Sequence, residues 1–598
     1  MKIEKVSYNL LDTISIPFKC SPISSGLIIL HTILSGLVPT LQIVVTAYFI
    51  DTAIDIVKNQ SAISQIYPSL FAVVALIAFN WISQEFTRFA HVQLERKMRE
   101  KLRTAIVERR AKLAYKHIED HESWDVISRV SGDPEMKVKN AFTDLLSLSS
   151  MVIQIVGVVA LLVSHVWWAA LIILAVSTPL FAIAVKSGKA TYQANREVSK
   201  FKRRHEYLSE VLRGREAVGE RSLFGFGRNT NQKWFEQYEI ARKIEFKTEA
   251  KWFVRMKSGS VISSLISTII IFILIPPVMT GQISVGMFMS LVNGVFGLVN
   301  MMSWQLTITA ENLAKHREFL IDLSTFAAFE ASDTVTLPPV SKTVKFESLE
   351  FRDVRFSYPG TGKQILNGLS FLITAGNHYA FVGINGAGKT TIMKLVTGLY
   401  DNYEGQILLN GTPISEYSQS ELKALFAVVY QDFAKYEISM KDNIAVGDIE
   451  YIDRDNIRGR IEQVSSQLGL EDVIAKLPNG LDTPLGKIQS DGQDVSGGEW
   501  QRIAMARALI SPAPVYILDE PTAALDPLSE SQLYEEFERI SKDKTTLFIS
   551  HRLGSTKLAD VIFVIGDGQM LEQGTHDDLM QNKGLYAEMY DKQRSWYE

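Results

Sequence analysis

Of the 598 residues only one is cysteine, Cys20, so no internal disulfide can form and no oxidising compartment is implied. The lone thiol reads as inert. An excess of charge of either sign is also missing. The 62 Lys and Arg stand against 66 Asp and Glu, and the net charge of -4 gives no reason to expect nucleic acid as a partner. No cleavable signal pattern opens the chain, because Met1 to Lys19 mixes charged and polar residues without a short apolar core. Val6 to Phe18 suits a short interfacial helix. Glycine and proline are absent between Pro68 and Gly132, from Lys189 to Arg213 and from Arg228 to Ser258. With 46% hydrophobic and 21% charged residues, a disordered chain, a collagen and a coiled-coil rod are all excluded.

Long apolar runs are plentiful. The mean hydropathy of +0.07 is high for a wholly soluble chain and low for one made of membrane helices, which suggests two unlike halves. Ile23 to Ile50 is uncharged and long enough to cross a bilayer. Similar runs follow at Tyr67–Phe86, Ala141–Val163, Val166–Val185, Val261–Met279 and Ile283–Ala310, giving six candidate spans. Asp51 to Gln65 holds one basic residue, Lys58, whereas Arg88–Lys139 and Lys186–Arg255 together hold thirty Lys and Arg. The positive-inside tendency places those basic loops, and with them both termini, in the cytoplasm. Trp167 and Trp168 then fall at an outer turn and fit an interfacial belt. The second span is free to continue as helix to about Leu113, on the order of 70 Å at 1.5 Å per residue. The later basic loop predicts two long helices joined by an elbow where Gly214, Gly219, Gly225 and Gly227 cluster.

The spans stop after Ala310. Asp333–Thr343, with its paired prolines, reads as a linker, and from about Phe346 short strands alternate with helices. The strand His378–Val382 runs into GINGAGKTT, Gly383 to Thr391, and then into a helix. That is the G-x-x-x-x-G-K-[ST] loop in its required strand-loop-helix setting. Its glycines let backbone N–H groups close around phosphates, with the helix N-terminus adding partial positive charge. Lys389 supplies a point charge, and Thr390 offers a hydroxyl for Mg²⁺. VYILDE, Val515 to Glu520, is a buried strand ending in two acids. Asp519 is the candidate for orienting metal-bound water and Glu520 the candidate general base. Between these motifs, VSGGE opens a helix at which Ser496, Gly497 and Gly498 form a second anion-binding N-terminus without a lysine.

In these motifs the chain resembles an ATP-binding cassette exporter of the half-transporter kind, and the resemblance covers essentially its whole length. It implies a polytopic α-helical membrane domain of six transmembrane helices with long cytoplasmic extensions, fused to an α/β P-loop ATPase domain with a helical subdomain. The expected boundaries are an N-terminal segment 1–22, a membrane domain 23–325, a linker 326–345 and an ATPase domain 346–598. Gly383, Asn385, Gly386, Ala387, Gly388, Lys389, Thr390 and Thr391 then bind ATP phosphates. Ser496, Gly497 and Gly498 are the family signature. By the same resemblance Tyr358 stacks on adenine, Gln431 contacts Mg²⁺, Asp526 communicates between two sites, and His551 is the switch at the γ-phosphate. Thr390, Gln431 and Asp519 form the Mg²⁺ set, with Glu520, His551 and Gln431 catalytic.

The family implies a head-to-tail dimer in which each signature motif completes the other subunit's ATP site. Elbows near His117–Trp124 and Gly214–Phe224 are expected to dock on the ATPase domains. With Glu520 and His551 both present, self-pairing is favoured, and a heterodimeric partner stays open. Two positions depart from the family pattern. Glu499 stands where glutamine is commoner, and Lys487 where many relatives carry an acid. The expected activity is ATP-driven export of an amphipathic substrate across the cytoplasmic membrane, among membrane lipids. A peptide is favoured because EAVGERSLFGFGRN resembles the elbow of bacteriocin and lantibiotic exporters; drug or lipid export is the alternative. No cysteine-protease segment precedes the first span, so leader cleavage is not expected. Chelate import, ion conduction and a soluble ATPase acting on DNA or ribosomes are the remaining readings. His31, Gln42, Asp51, Asn80, Gln154, Asn293, Asn300 and Gln305 lie in or beside the spans. They are candidates either for a substrate cavity or for ordinary helix-helix hydrogen bonds.

Overall fold

A computed structural model describes residues 3, 7–58, 60–214, 217–301, 305–340, 345–452, 456–520, 539, 542–550 and 553–595. Two compact units emerge: Met1–Arg110 with Asp125–Phe329, and Ala111–Trp124 with Glu330–Glu598. The short segment 111–124 of the first basic loop therefore groups with the second unit.

In the membrane unit the first span is a 36-residue helix, Pro22–Val57. The second is Ile66–Met98, which passes through one π turn at Arg99–Arg103 into Thr104–Ala111. The absence of glycine and proline thus has the expected result, a helix about 70 Å long. Hydrogen-bonded helix runs from Pro134 to Arg213 with a single break at Val166, whose φ and ψ are -145° and 77°. The expected turn at Ser164–His165 is this break. The Ser164 hydroxyl and the His165 ring both donate to the Leu161 carbonyl, at 2.8 and 3.0 Å, closing the preceding helix without a loop. Trp167 beside the break is 64% exposed. Side chains 169–185, which carry most of the fourth expected span, lie outside the described residues, as do most of those at 258–267. Gly227–Met279 follows the elbow helix Val218–Phe224, and the last expected span is described as Val285–Asn300 and Leu306–Ala328. The short helix expected at Val6–Phe18 is found further along the chain, at Asp12–Cys20, with Cys20 buried.

Small residues let these helices approach. A Cβ on Gly157 would collide with the Thr40 side chain, and one on Gly294 would sit 2.5 Å from Ile43 Cδ1. Asp51 is accounted for by a hydrogen bond within the unit. Its Oδ1 accepts from the Gly286 N–H at 2.7 Å, satisfying a donor at the first turn of Val285–Asn300. Replacing Gly157 with valine is expected to destabilise the membrane unit by about 1–3 kcal/mol through overpacking. A lowered melting temperature in detergent checks this; an unchanged one contradicts the close approach.

Among the described residues the second unit holds ten strands. An antiparallel sheet contains β1 (Ser348–Ser357), β2 (Gln364–Thr374), β4 (Glu404–Leu409) and β5 (Thr412–Pro413), in the order β2-β1-β4-β5. The larger sheet contains β3 (His378–Val382), β6 (Phe426–Val429), β7 (Val515–Asp519), β8 (Thr545–Ile549), β9 (Val561–Gly566) and β10 (Gln569–Gly574). Its order is β10-β9-β3-β8-β7-β6, with all neighbours parallel except β10 on β9. A helical layer (Met440–Ala445, Ile457–Gln467, Glu471–Lys476 and Gly497–Leu509) packs Ile444, Ile461, Trp500 and Ile503 into one core. The expected linker is tied down in part: Lys423 Nζ donates to the Val335 and Leu337 carbonyls at 2.6 and 2.8 Å.

Candidate active site

Strand direction assembles the site. β3, β6 and β7 are parallel, so their C-terminal ends open on one edge of the sheet, where α/β folds place ligands. The phosphate loop leaves β3 after Val382. Gly383 and Gly388, at φ 154° and 102°, adopt backbone angles that side chains disfavour, and a Cβ on Gly388 would lie 2.6 Å from Leu366 Cδ2. Gly388 also caps the helix Lys389–Val396, which therefore begins three residues earlier than the sequence suggests. Ile384, Asn385 and Gly386 are exposed at the loop tip, while Gly383, Ala387, Gly388 and Thr391 are buried.

Lys389 is 5% exposed and donates to the Gly383 and Ile384 carbonyls at 2.8 and 3.2 Å. Burial lowers its pKa, against the opposing pull of the Glu520 and Asp519 carboxylates. The Thr390 hydroxyl donates to Asp519 Oδ2 at 3.1 Å. Burial pushes the Asp519 carboxyl up to about 6, despite that bond and with the negative charge of Glu520 adding to the rise. Its other oxygen, Oδ1, is buried and has no hydrogen-bond partner among the described residues.

Sheet register explains the next contact. Val429 pairs with Leu518 in parallel, so the residues two beyond each come alongside. Gln431 Nε2 donates to Glu520 Oε2 at 2.8 Å. Glu520 itself has φ 47°, a left-handed conformation costing about 1–3 kcal/mol in a non-glycine residue. Its N–H holds that turn by donating to the Ile549 carbonyl at 2.9 Å. Lys389, Thr390, Asp519, Glu520 and Gln431 thus form one cluster. Asp526 and His551 lie outside the described residues.

Tyr358 stands on the far side of the phosphate-loop helix, its hydroxyl 2.9 Å from that of Thr391. Around it is a group that sequence reasoning missed. Lys394 Nζ lies 5.2 Å from the Tyr358 ring centroid and 5.5 Å from that of Tyr115, and it bonds Glu119 at 2.6 Å. Tyr400 also donates to Glu119 and packs edge-on to Tyr115 and Tyr358. Burial is the largest influence and pulls the Lys394 ammonium pKa down, but the Glu119 bond together with the charges of Tyr358, Tyr115 and Glu119 makes the net shift upward. Burial and then Glu119 raise the Tyr400 hydroxyl above the usual phenol range. Glu119 and Tyr115 belong to the elbow helix Tyr115–Glu119, which also ties to Glu330 through Lys116 and the Ala114 N–H. The only signal in the sequence was the elbow itself.

Residues 366–523 match the ABC transporter family, and residues 25–299 match the ABC transporter transmembrane region. The chain belongs to the ABC transporters. It is an exporter-type half-transporter, an ATPase coupled to transport, with membrane and ATPase regions in one polypeptide. Subtilin transport ATP-binding protein SpaT of Bacillus subtilis is 28% identical across 94% of this chain and 90% of that protein. The ATP-dependent lipid A-core flippase of Alcanivorax borkumensis is 29% identical across 90% and 88%. The fold recurs in a bacterial Atm1-family ABC exporter with ATP bound, at TM-score 0.73 and 24% identity, covering 95% and 98% of the two chains.

Both departures from the ABC transporter pattern have local partners. Ser496 caps Gly497–Leu509, and Glu499 completes a capping box by accepting from the Ser496 N–H at 2.6 Å. Lys487 pairs with Asp494 at 2.7 Å, just ahead of the signature. Glu437 meanwhile accepts from the Lys487 and Ile488 N–H groups at 2.7 and 2.6 Å, holding that loop by its backbone.

Two outcomes follow from this geometry. Glu499→Gln is expected to preserve the capping box, and Glu499→Ala to cost about 1 kcal/mol; chemical unfolding of the two variants checks the difference, and equal midpoints would contradict it. Glu119→Gln is expected to weaken the elbow's attachment by about 1.5–3 kcal/mol, the worth of a charged hydrogen bond. Hydrogen exchange over residues 111–124 should then accelerate roughly tenfold or more, and unchanged protection would show that the elbow is held elsewhere.

Proposed function

We propose that this ABC transporter works as a self-paired dimer in the cytoplasmic membrane, hydrolysing ATP to export an amphipathic peptide. Both termini and the ATPase unit lie on the cytoplasmic side in this reading, which the thirty basic residues of the two long loops support. One observation carries the chemistry. The acid Glu520, pinned by Gln431, stands beside Asp519, Thr390 and Lys389 at a single sheet edge.

Each residue then has a task. Backbone N–H groups from Gly383 to Gly388, with Lys389, hold the phosphates of ATP, and Tyr358 supports the adenine. Thr390, Gln431 and Asp519 fit a Mg²⁺ site, because the buried Asp519 Oδ1 is an acceptor with no hydrogen-bond donor among the described residues. When bound, Mg²⁺ neutralises phosphate charge. Glu520 takes the proton from the attacking water, its second oxygen oriented by the Gln431 amide. Asp526 and His551 keep the roles that family resemblance gives them, inter-site communication and γ-phosphate contact. Ser496 and Gly497 are exposed at a helix N-terminus without a lysine, which suits an anion site completed by a second copy of the chain. Lipid export is the second reading, favoured by the flippases that match over most of the chain.

Glu520→Gln is expected to retain ATP binding and to lose on the order of 100-fold or more in hydrolysis, the range for removing a general base. Steady-state ATPase together with binding of a fluorescent ATP analogue decides this. Hydrolysis at the wild-type rate would remove Glu520 from its role.

A further inference from the structure

Three membrane helices enclose a cavity of about 340 Å³. Gln42 and Thr46 come from Pro22–Val57, Gln154 from Pro134–Arg213, and Ser290 and Asn293 from Val285–Asn300. Of the polar span residues singled out by sequence, Gln42, Gln154 and Asn293 are thus brought together. Asn80 and Gln305 are exposed elsewhere, His31 lines a separate groove, and the Asn300 side chain lies outside the described residues.

The wall is polar but uncharged. Among the described residues that line it there is no Lys, Arg, Asp or Glu. Ser290 is 3% exposed, and its hydroxyl has no hydrogen-bond partner among the described residues. A desolvated hydroxyl normally finds one. Gln42 and Asn293 are exposed near the middle of apolar helices, where lipid tails offer carboxamides nothing to bond. This face therefore opens on water or on a polar ligand. Ile43, Val158 and Leu298 flank the polar groups, so apolar contact is available beside them. Gly297 leaves the wall open, since a Cβ there would meet nothing within 4 Å.

We propose that this wall is a substrate subsite that takes an uncharged peptide segment through hydrogen bonds to its backbone. The inference rests on the export reading above and narrows its substrate class. Carboxamides donate and accept alike, as peptide groups do, and so match a backbone whatever its side chains. A phosphorylated headgroup would need cations that the wall lacks, because an uncompensated phosphate is costly to desolvate. The volume is at the low end for ligand pockets, which suits one stretch of an extended peptide rather than a whole substrate.

The test uses full-length protein in lipid nanodiscs without nucleotide and a fluorescent, uncharged twelve-residue peptide of Ala, Leu and Ser. Gln42→Met and Asn293→Leu, close in shape to the originals, are combined. Two lost hydrogen bonds should weaken binding on the order of tenfold. The backbone N-methylated peptide, lacking N–H donors, should bind wild type at least as weakly as the double variant binds the parent peptide. A bis-phosphorylated glycolipid should not compete. Equal affinity of wild type and double variant, equal binding of the two peptides, or competition by the glycolipid would each overturn the proposal. If the double variant melts early, the N-methylated peptide on wild type decides alone. Failure of the export reading would appear separately, in the ATPase of Glu520→Gln.

Discussion

The parallel register of β3, β8, β7 and β6 is the constraint from which the ATPase unit follows. Parallel strands end on one edge, so residues distant in sequence arrive together there without long side chains having to search for one another. Gln431 and Glu520 meet because Val429 pairs with Leu518. Thr390 and Asp519 meet because β3 and β7 both flank β8. A register slip of one residue in β7 would turn Asp519 and Glu520 to opposite sides and dissolve the cluster. Burial then does the electrostatic work. It raises Asp519 and lowers Lys389, and one buried oxygen of Asp519 has no partner among the described residues. Such groups are costly in a structural role and useful in a site that receives phosphates and a cation.

A second constraint concerns the elbow. Glu119 receives Lys394 and Tyr400 together, and both neighbour Tyr358. Lys394 sits one turn along the phosphate-loop helix from Thr391, which itself contacts Tyr358. The elbow helix is therefore attached to the residues that pack on the phosphate-loop helix and on Tyr358. In the membrane unit, glycine contacts and the Asp51–Gly286 bond use structural economy of a different kind, satisfying polar groups between helices where lipid cannot.

The legible parts of the fold were those with local signals. Six apolar runs, the phosphate loop, the acidic strand end and the capped signature helix are each written in a few consecutive residues. The long helices that continue beyond the apolar runs were legible from missing glycine and proline. The elbow's anchor was not, because Glu119 and Lys394 lie 275 positions apart and neither sits in a motif. Asp51 was open to two readings for the same reason: its partner Gly286 is 235 positions away and offers only a backbone N–H. Lys487 and Glu499 looked like departures because a motif compares residue types, whereas the structure satisfies hydrogen bonds. Asp494 and the Ser496 N–H supply the missing counterparts.

In the proposed cycle one polypeptide couples ATP hydrolysis at the β7 edge to movement of a peptide through the membrane unit. Inside-out proteoliposomes containing only this chain, loaded outside with labelled uncharged peptide, test it directly. The account predicts ATP-dependent accumulation of peptide in the lumen that disappears when Glu520 is replaced by glutamine. Accumulation that proceeds without ATP, or that survives that replacement, would contradict it.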